Sequence, residues 1–286
     1  MRLLTTTDSS AHSLRVLPHA AKFAAGLGGE LVLLRVFDPR VDAASEPGVT
    51  LAEATASAMQ RWRKELLALL EREGVAGDAI VGQKGRGEEM HAALLRIAGE
   101  SGAGMMAMDS RGAGALRHAL LGSVAMGIIG NSKLPVLVTG QKAEAPAPGG
   151  ALRLVVTNDG SAAALDVVNE LAPLLEGREV EVTLLRVYEG AIGDAGRQAE
   201  AESAAAELEA VARRFPKGPA VRVAVEAAKG LEKVDAAIVR VAVECGASAI
   251  AMSTHGHSAR RHLLAGSVAL GVLAKSPVPL ILARGG

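Results

Sequence analysis

Short apolar runs alternate along this chain with longer segments in which apolar residues recur at helical spacing. The runs at 31–34 (Leu-Val-Leu-Leu) and 249–252 (Ala-Ile-Ala-Met) are apolar at consecutive positions, as strands covered on both faces are. The segments between such runs have the length and the period of helices. This alternation predicts repeated βα units around a mostly parallel sheet.

The pattern predicts five strands and about four helices in each half of the chain. Predicted strands lie near residues 2–6, 31–37, 78–83, 104–108 and 135–139, and near 152–157, 180–187, 220–226, 247–252 and 278–283. Predicted helices of the second half lie near 161–175, 196–214, 232–245 and 267–275, and the first half follows the same order. The fold class expected is therefore α/β, with two tandem doubly wound domains.

The two halves are copies of each other. Residues 154–159 repeat the pattern of 3–8, and residues 112–127 align without a gap with 256–271, where ten of the sixteen positions are identical. An internal repeat determines the architecture more firmly than local propensity does. It predicts one domain per copy.

A segment rich in Pro, Ala and Gly separates the copies. Residues 141–150 show no apolar periodicity, which is typical of a linker. The expected organisation is a first domain over 1–140, a linker over 141–150 and a second domain over 151–286.

Composition excludes several classes of partner. The 31 basic residues balance 31 acidic ones, so no overall field attracts nucleic acid or an anionic membrane. Cys245 is the single cysteine, and the N-terminus lacks the apolar core of a signal peptide. The most apolar stretch, 236–252, carries Arg240 and Glu244, which argues against a membrane span. We expect a cytoplasmic protein with neither nucleic acid nor membrane as a partner.

An aspartate follows the first predicted strand of each copy, Asp8 in copy one and Asp159 in copy two. Ligands of doubly wound sheets lie beyond the carboxyl ends of the strands, where these carboxylates would accept hydrogen bonds from a ribose hydroxyl or a base amino group. An aspartate just before Ser10 or Ser161 also suits a turn or a helix cap. Taken alone, the turn or cap is the favoured interpretation.

A glycine, a nine-residue loop and a Gly-Ser pair that opens a helix follow the fourth predicted strand of each copy. The residues are Gly112, Gly122 and Ser123 in copy one, and Gly256, Gly266 and Ser267 in copy two. Glycine lets the backbone approach a ligand closely, and a helix N-terminus favours an anion such as phosphate. A single Gly-Ser would be an ordinary helix start, but two on one scaffold, each paired with an aspartate, indicate a nucleotide pocket.

These residues resemble the universal stress protein family over nearly the whole chain. ATP-binding members carry the motif G-2x-G-9x-G-(S/T), and copy two matches it except that Ser253 replaces the first glycine. In copy one Asp109 stands at that position. Because an acid there would oppose phosphates, copy two is expected to be the stronger site.

The resemblance implies a set of contact residues in each copy. In copy two it assigns adenine and ribose contacts to Asp159, Val187, Met252 and Ser253, and phosphate contacts to Gly256, Gly266, Ser267 and Val268. The matching residues of copy one are Asp8, Val36, Met108, Asp109, Gly112, Gly122, Ser123 and Val124. Val36 and Val187 rest on the resemblance alone, since a valine ending a buried strand is usually core.

The resemblance also implies the ligand and the assembly. The ligand would be ATP, or AMP or ADP, with or without Mg²⁺. The copies would pair as an internal pseudo-dimer through the edges at 135–139 and 277–282, because a long apolar strand edge left open invites aggregation. A further homo-oligomer stays open.

Other chemistries find little support. There is no G-x-x-x-x-G-K-[ST] motif and no G-x-S-x-G elbow, and Gly112 and Gly114 lack the third glycine that a dinucleotide-binding fingerprint requires. No carboxylate or cysteine joins His255, His257 and His262 at a ligand-like spacing, so no metal site is assigned. No general base is placed to activate water, so no catalytic residue is assigned either. Two functions remain: a nucleotide-binding regulatory module, or a nucleotide-free scaffold of the same fold.

Overall fold

The computed structural model describes residues 1–42, 49–112, 120–147, 149–189, 195–254 and 266–284. The strands of copy one are β1 (Arg2–Thr6), β2 (Glu30–Phe37), β3 (Asp78–Gln83), β4 (Ala103–Asp109) and β5 (Val136–Thr139). Those of copy two are β6 (Leu152–Thr157), β7 (Val180–Tyr188), β8 (Ala220–Ala227), β9 (Ala249–Ser253) and β10 (Leu280–Ala283).

Four described α-helices belong to each copy. They are α1 (Leu17–Gly26), α2 (Leu51–Arg72), α3 (Met90–Glu100) and α4 (Ser123–Asn131), then α5 (Ala162–Leu171), α6 (Ala195–Ala212), α7 (Val234–Glu244) and α8 (Ser267–Lys275). Short 3-10 turns precede α1 (Ser13–Val16) and follow α5 (Ala172–Leu175). Within the residues described, no helix combines the length and the apolarity that a membrane span needs.

All ten strands form one sheet in the order β3-β2-β1-β4-β5-β10-β9-β6-β7-β8. Every ladder within a copy is parallel. The two halves of this order are mirror images, as two copies of one doubly wound domain require. The expected fold class is therefore confirmed.

The copies join through an antiparallel ladder between β5 and β10. Leu137 pairs with Ile281 at its centre, and these two side chains are 0% and 1% exposed. Pro279, which has no N–H to donate, lies just before the first residue of β10. The expected pairing of the strand-five edges is confirmed, and it makes the hydrophobic core continuous between the copies.

The segment after β5 lies against α1. The guanidinium of Arg15 donates to the carbonyl oxygens of Gly140, Gln141 and Ala143 at 3.0, 2.9 and 3.3 Å. The amide of Glu144 donates to the carbonyl of Pro277 in copy two at 2.8 Å. One cation of copy one thus organises the chain where it leaves its own domain.

His19 on α1 lies beneath the same segment and is 3% exposed. Burial lowers the pKa of His19 from its ordinary 6.5 to about 4, because it disfavours the charged imidazolium. A hydrogen bond with the Glu144 backbone opposes this shift, and the charges of Lys22 and Arg15 add to it.

This neutral histidine predicts a loss of stability in acid. A folded pKa below the unfolded one means that the contribution is complete above about pH 6.5 and is lost as the pH falls toward 4. The loss should reach about 3 kcal/mol, since one pKa unit corresponds to about 1.4 kcal/mol. Denaturant unfolding at pH 7 and pH 4.5 should show a smaller loss in His19→Gln than in the parent. Equal losses in the two proteins would contradict this role.

Candidate functional site

The candidate sites lie where the strand order reverses. In copy one, β2 flanks one side of β1 and β4 flanks the other, so the connections after β1 and β4 leave a crevice at the carboxyl end of the sheet. A cavity of about 450 Å³ lies there, and the equivalent position in copy two holds one of about 240 Å³. The same sheet geometry therefore builds a cavity twice.

The structure places almost every predicted site residue on one of these cavities. The copy-one cavity is lined by Asp8, Val36, Met108, Asp109, Gly112, Gly122, Ser123 and Val124. The copy-two cavity is lined by Asp159, Val187, Met252, Ser253, Gly266, Ser267 and Val268. Gly256, with the three histidines near it, lies outside the described residues. Binding roles for these residues stay predictions.

Helices α4 and α8 point their N-termini at the cavities. Gly122 and Gly266 are their N-caps, with extended backbone (φ −75° and −66°) and no side-chain cap. Their amides donate to the carbonyls of Ser110 and Thr254 at 2.8 and 2.6 Å. The first-turn N–H groups and the positive end of the helix dipole therefore face the cavity, where an anion is favoured.

The protein's own backbone does not require glycine at these caps. Their φ angles are negative, and a Cβ on Gly266 would come no closer than 3.5 Å to the Thr254 carbonyl. A Cβ on Gly122 would come no closer than 3.8 Å to the Ser110 carbonyl. Among the described residues, nothing crowds a side chain at either place. Close approach of a ligand is one physical reason for glycine there.

Asp8 and Asp159 lie exposed at the rims of the two cavities. One oxygen of each accepts a hydrogen bond from the amide two residues later, Ser10 or Ser161, at 2.9 Å. In copy two the helix cap is Ser161, whose hydroxyl accepts from the Ala164 amide at 3.2 Å. The turn interpretation holds for one oxygen of each aspartate, while the carboxylates also border the cavities.

The side walls of the cavities are apolar. Val36 and Met108 in copy one are 8% and 5% exposed and belong to the hydrophobic core. Val187 and Met252 take the same places in copy two. Val36 is therefore a core residue as well as a cavity wall, and Val187 is partly buried and packs against the core. Such a wall suits the face of a flat ring.

Asp109 is 4% exposed at the end of β4. Its carboxylate accepts hydrogen bonds from the Thr139 hydroxyl at 2.7 Å and from the Arg111 amide at 3.0 Å. Burial raises the pKa of Asp109, while these hydrogen bonds and the charges of Arg15 and Arg111 oppose the rise. In copy two, Ser253 pairs with Ala283 at the equivalent place. A buried acid is thus a feature of copy one alone at this position.

The sequence interpretation missed two kinds of site residue. Ser110 is fully buried on the copy-one cavity and its hydroxyl has no hydrogen-bond partner, and the side-chain amide nitrogen of Asn158 is unpartnered on the copy-two cavity. Arg35 and Trp62 also line the copy-one cavity. Ser110 directly follows Asp109, and Asn158 directly precedes Asp159. Their position beside a motif aspartate is the sequence feature that could have identified them.

No cluster of three or more His, Cys, Asp or Glu side chains suited to a metal ion occurs within the described ranges. The recognition chemistry that these residues offer consists of helix N–H groups, buried polar donors, a rim carboxylate and apolar walls.

Fold and cavities define a tandem doubly wound α/β protein with one candidate site at the switch point of each copy. The model of the universal stress protein family matches residues 1–140 and 151–284. The chain belongs to this family, as its motifs indicated.

Solved structures share the fold across both copies. A universal stress protein from Archaeoglobus fulgidus DSM 4304 matches with a TM-score of 0.62 and 21% identity, over 100% of this chain and 96% of that one. A putative universal stress protein from Pseudomonas aeruginosa UCBPP-PA14 matches with a TM-score of 0.59 and 18% identity, over 99% and 92%. These likenesses show the tandem fold.

One shorter relative has been solved with a nucleotide. A universal stress protein from Archaeoglobus fulgidus in complex with dAMP is 22% identical, with a TM-score of 0.36, over 46% of this chain and 96% of that one. A search of the curated proteins found no match to the chain.

Proposed function

We propose that this protein is a cytoplasmic regulatory protein that binds an adenine nucleotide, with copy two as the stronger site for ATP. The observation that carries the proposal is the N-terminus of α8, which opens into the copy-two cavity at Gly266, a glycine that no described residue crowds. Membership of the universal stress protein family supports the same ligand class.

The phosphates belong at the start of α8. The amides of Val268 and Ala269 lie in its first turn, and the Ser267 hydroxyl lines the cavity beside them. Backbone N–H groups at a helix start bind phosphate without any basic side chain. The helix amides would bind the phosphate charge, and none of them can act as a nucleophile.

The base and the ribose belong beyond the carboxyl ends of β6, β7 and β9. Val187, Ile238 and Met252 form an apolar wall, and Asp159 lies at the rim. The unpartnered amide nitrogen of Asn158 is a buried donor that a ligand acceptor would satisfy. A buried donor left without a partner costs about 1–3 kcal/mol, which a bound nucleotide would recover.

Regulation rather than catalysis fits the polar groups of this cavity. Among the described residues that line it, the only carboxylate is Asp159, and one of its oxygens is held by the Ser161 amide. Occupancy by nucleotide, read by a partner, is therefore the function that we propose, with at most very slow hydrolysis. Mg²⁺ would accompany the phosphates as part of the ligand.

A first prediction concerns Gly266. Replacing it in Gly266→Val puts a branched side chain where the backbone must meet phosphate, so ATP binding should be abolished. Gly122→Val is the matched control, because it makes the same change in copy one. Isothermal titration of both variants, each checked for an unchanged melting temperature, measures the effect.

Loss of ATP binding in Gly266→Val with retention in Gly122→Val supports the assignment. Equal ATP affinity in the parent and Gly266→Val would remove the phosphate role of α8. A protein that binds no nucleotide at all would instead be a scaffold of this fold.

Asp109 should make copy one the weaker ATP site. At an effective dielectric constant of about 20 to 40 and a separation of about 6 Å, each phosphate charge is repelled by about 1–3 kcal/mol before screening. The expected loss of affinity is about tenfold to hundredfold. Arg111 offsets part of this repulsion, since its charge already acts on the Asp109 carboxyl.

The ATP stoichiometry of Asp109→Gly tests this difference between the copies. Titration in the presence and in the absence of Mg²⁺ should give one tight site in the parent and two in the variant. Asp109→Asn keeps the side-chain volume and removes the charge, so it separates repulsion from crowding. Two equal sites in the parent, with or without Mg²⁺, would show that Asp109 does not exclude ATP.

A further inference from the structure

The copy-one cavity has a compartment that the described copy-two cavity lacks. It extends past the end of β2 toward α2, where Arg35, Asp38 and Trp62 line it. The copy-two cavity ends at Val187, the last lining residue on the side of β7. The cavity volumes are about 450 Å³ in copy one and about 240 Å³ in copy two, where residues 190–194 and 255–265 lie outside the described part of the chain.

Helix α2 sets the position of Trp62. The helix begins at a capping box in which Thr50 accepts from the Glu53 amide at 3.3 Å and Glu53 accepts from the Thr50 amide at 2.9 Å. The Trp62 ring packs edge to face on Phe37, with 5.1 Å between the ring centroids. Trp62 on α2 and Phe37 on β2 both belong to regular elements, so the indole forms a fixed wall.

The guanidinium of Arg35 lies over this wall, with Cζ 3.5 Å from the centroid of the Trp62 ring. One of its nitrogens donates to the Ser9 hydroxyl at 3.2 Å. Within the described part of the chain it forms no salt bridge. Guanidinium carries five N–H donors in a rigid fork that matches phosphate. Stacking therefore orients a cation whose donors are mostly unused.

The equivalent arginine of copy two is fully engaged. Arg186 donates to the carbonyl and the side-chain oxygen of Asn158 at 3.0 and 3.3 Å, and it pairs with Glu207 at 2.7 Å. Arg186 does not line the copy-two cavity. Arg186 therefore joins the end of β6 to β7 and α6. Arg35 makes no equivalent contacts among the described residues, so this structural role does not account for the arginine in copy one.

The acids around Arg35 already have partners. Asp38 pairs with Lys84, and Asp42 accepts from the Asp38 amide at 2.8 Å. Asp8 accepts from the Ser10 amide at 2.9 Å. Lys84 offsets the charge of Asp38, whereas Asp42 and Asp8 keep theirs, and within the described residues no salt bridge joins Arg35 to any of these acids.

The charges of the cavity are arranged across the sheet. Arg35 lies near the end of β2 and Asp109 ends β4, with β1 between them, so about 10 Å of sheet separates the two backbone positions. Asp109 disfavours phosphate on the side of α4, whereas Arg35 favours it on the side of α2. Copy one is therefore built for a nucleotide whose charge lies at the other end from that of ATP.

We propose that copy one binds a nucleotide that carries a phosphate on the ribose 2′ or 3′ hydroxyl, and that Arg35, stacked on Trp62, holds this phosphate. The proposal rests on the proposed function in one respect, the placing of the ribose near Asp8, which would accept a hydrogen bond from the ribose hydroxyl that carries no phosphate. Arg35 reaches that place, because its partner Ser9 directly follows Asp8. The two copies then bind different nucleotides.

Trp62 supplies a probe that reports on copy one alone, because it is the only tryptophan of the chain. Its emission is followed while the full-length protein is titrated with adenosine 2′-, 3′- and 5′-monophosphate in separate experiments. Either the 2′- or the 3′-phosphate should bind at least about tenfold more tightly than the 5′-phosphate, as expected for hydrogen bonds to a charged group. The two arms identify which hydroxyl carries the phosphate.

Three variants connect this preference to Arg35. Arg35→Gln should abolish it, and Arg35→Lys should keep part of it, because the charge stays and the stacked fork is lost. Arg61→Gln removes an exposed charge from α2, the helix of Trp62, and should change nothing. Circular dichroism checks the fold of each variant.

Equal affinity of the parent for all three monophosphates would overturn the proposal, as would a preference that survives in both Arg35→Gln and Arg35→Lys. Silence of Trp62 toward every monophosphate, while calorimetry still detects ATP binding, would overturn this inference and leave the proposed function standing. Absence of binding by either method, for any nucleotide, would remove both.

Discussion

Both candidate sites depend on one constraint, the reversal of strand order beside the first strand of each copy. β1 lies between β2 and β4. The chain that leaves the carboxyl end of β1 therefore runs to one side, and the chain that leaves β4 runs to the other, so a crevice stays open between these two connections. The aspartate after the first strand and the helix after the fourth strand therefore lie at the same cavity. Asp8 is more than a hundred positions from Gly122, and Asp159 is more than a hundred positions from Gly266. The position of the crevice in the sheet therefore determines which side chains and which helix N-terminus line the site.

The antiparallel ladder between β5 and β10 turns two domains into one sheet. It covers the edges that would otherwise be open, and Arg15 and His19 hold the connecting chain against α1. The cavities themselves lie two strands from this seam, beside β1 and β6. Each cavity is therefore built within its own copy, which allowed Asp109 and Arg35 in copy one to diverge from Ser253 and Arg186 in copy two.

Much of this fold could be predicted from the sequence, because buried parallel strands and a repeated motif leave strong patterns. Boundaries failed where proline intervened: the helix expected over 161–175 ends at Leu171, since Pro173 lacks the N–H that an α-helix needs, and a 3-10 turn follows. The described residues of the motif line the cavities, and their binding roles stay predictions. Arg35 and Trp62 could not be found in this way, because their contact joins a strand to a helix of different sequence in the two copies.

The central claim is that the helix N-termini and apolar walls select an adenine nucleotide. The direct measurement incubates purified protein with an equimolar mixture of ATP, GTP, CTP and UTP, removes free nucleotide by gel filtration and identifies what is released on denaturation by mass spectrometry. The account predicts that adenine nucleotide is retained, close to one per chain. Retention of no nucleotide, or of all four bases equally, would contradict it.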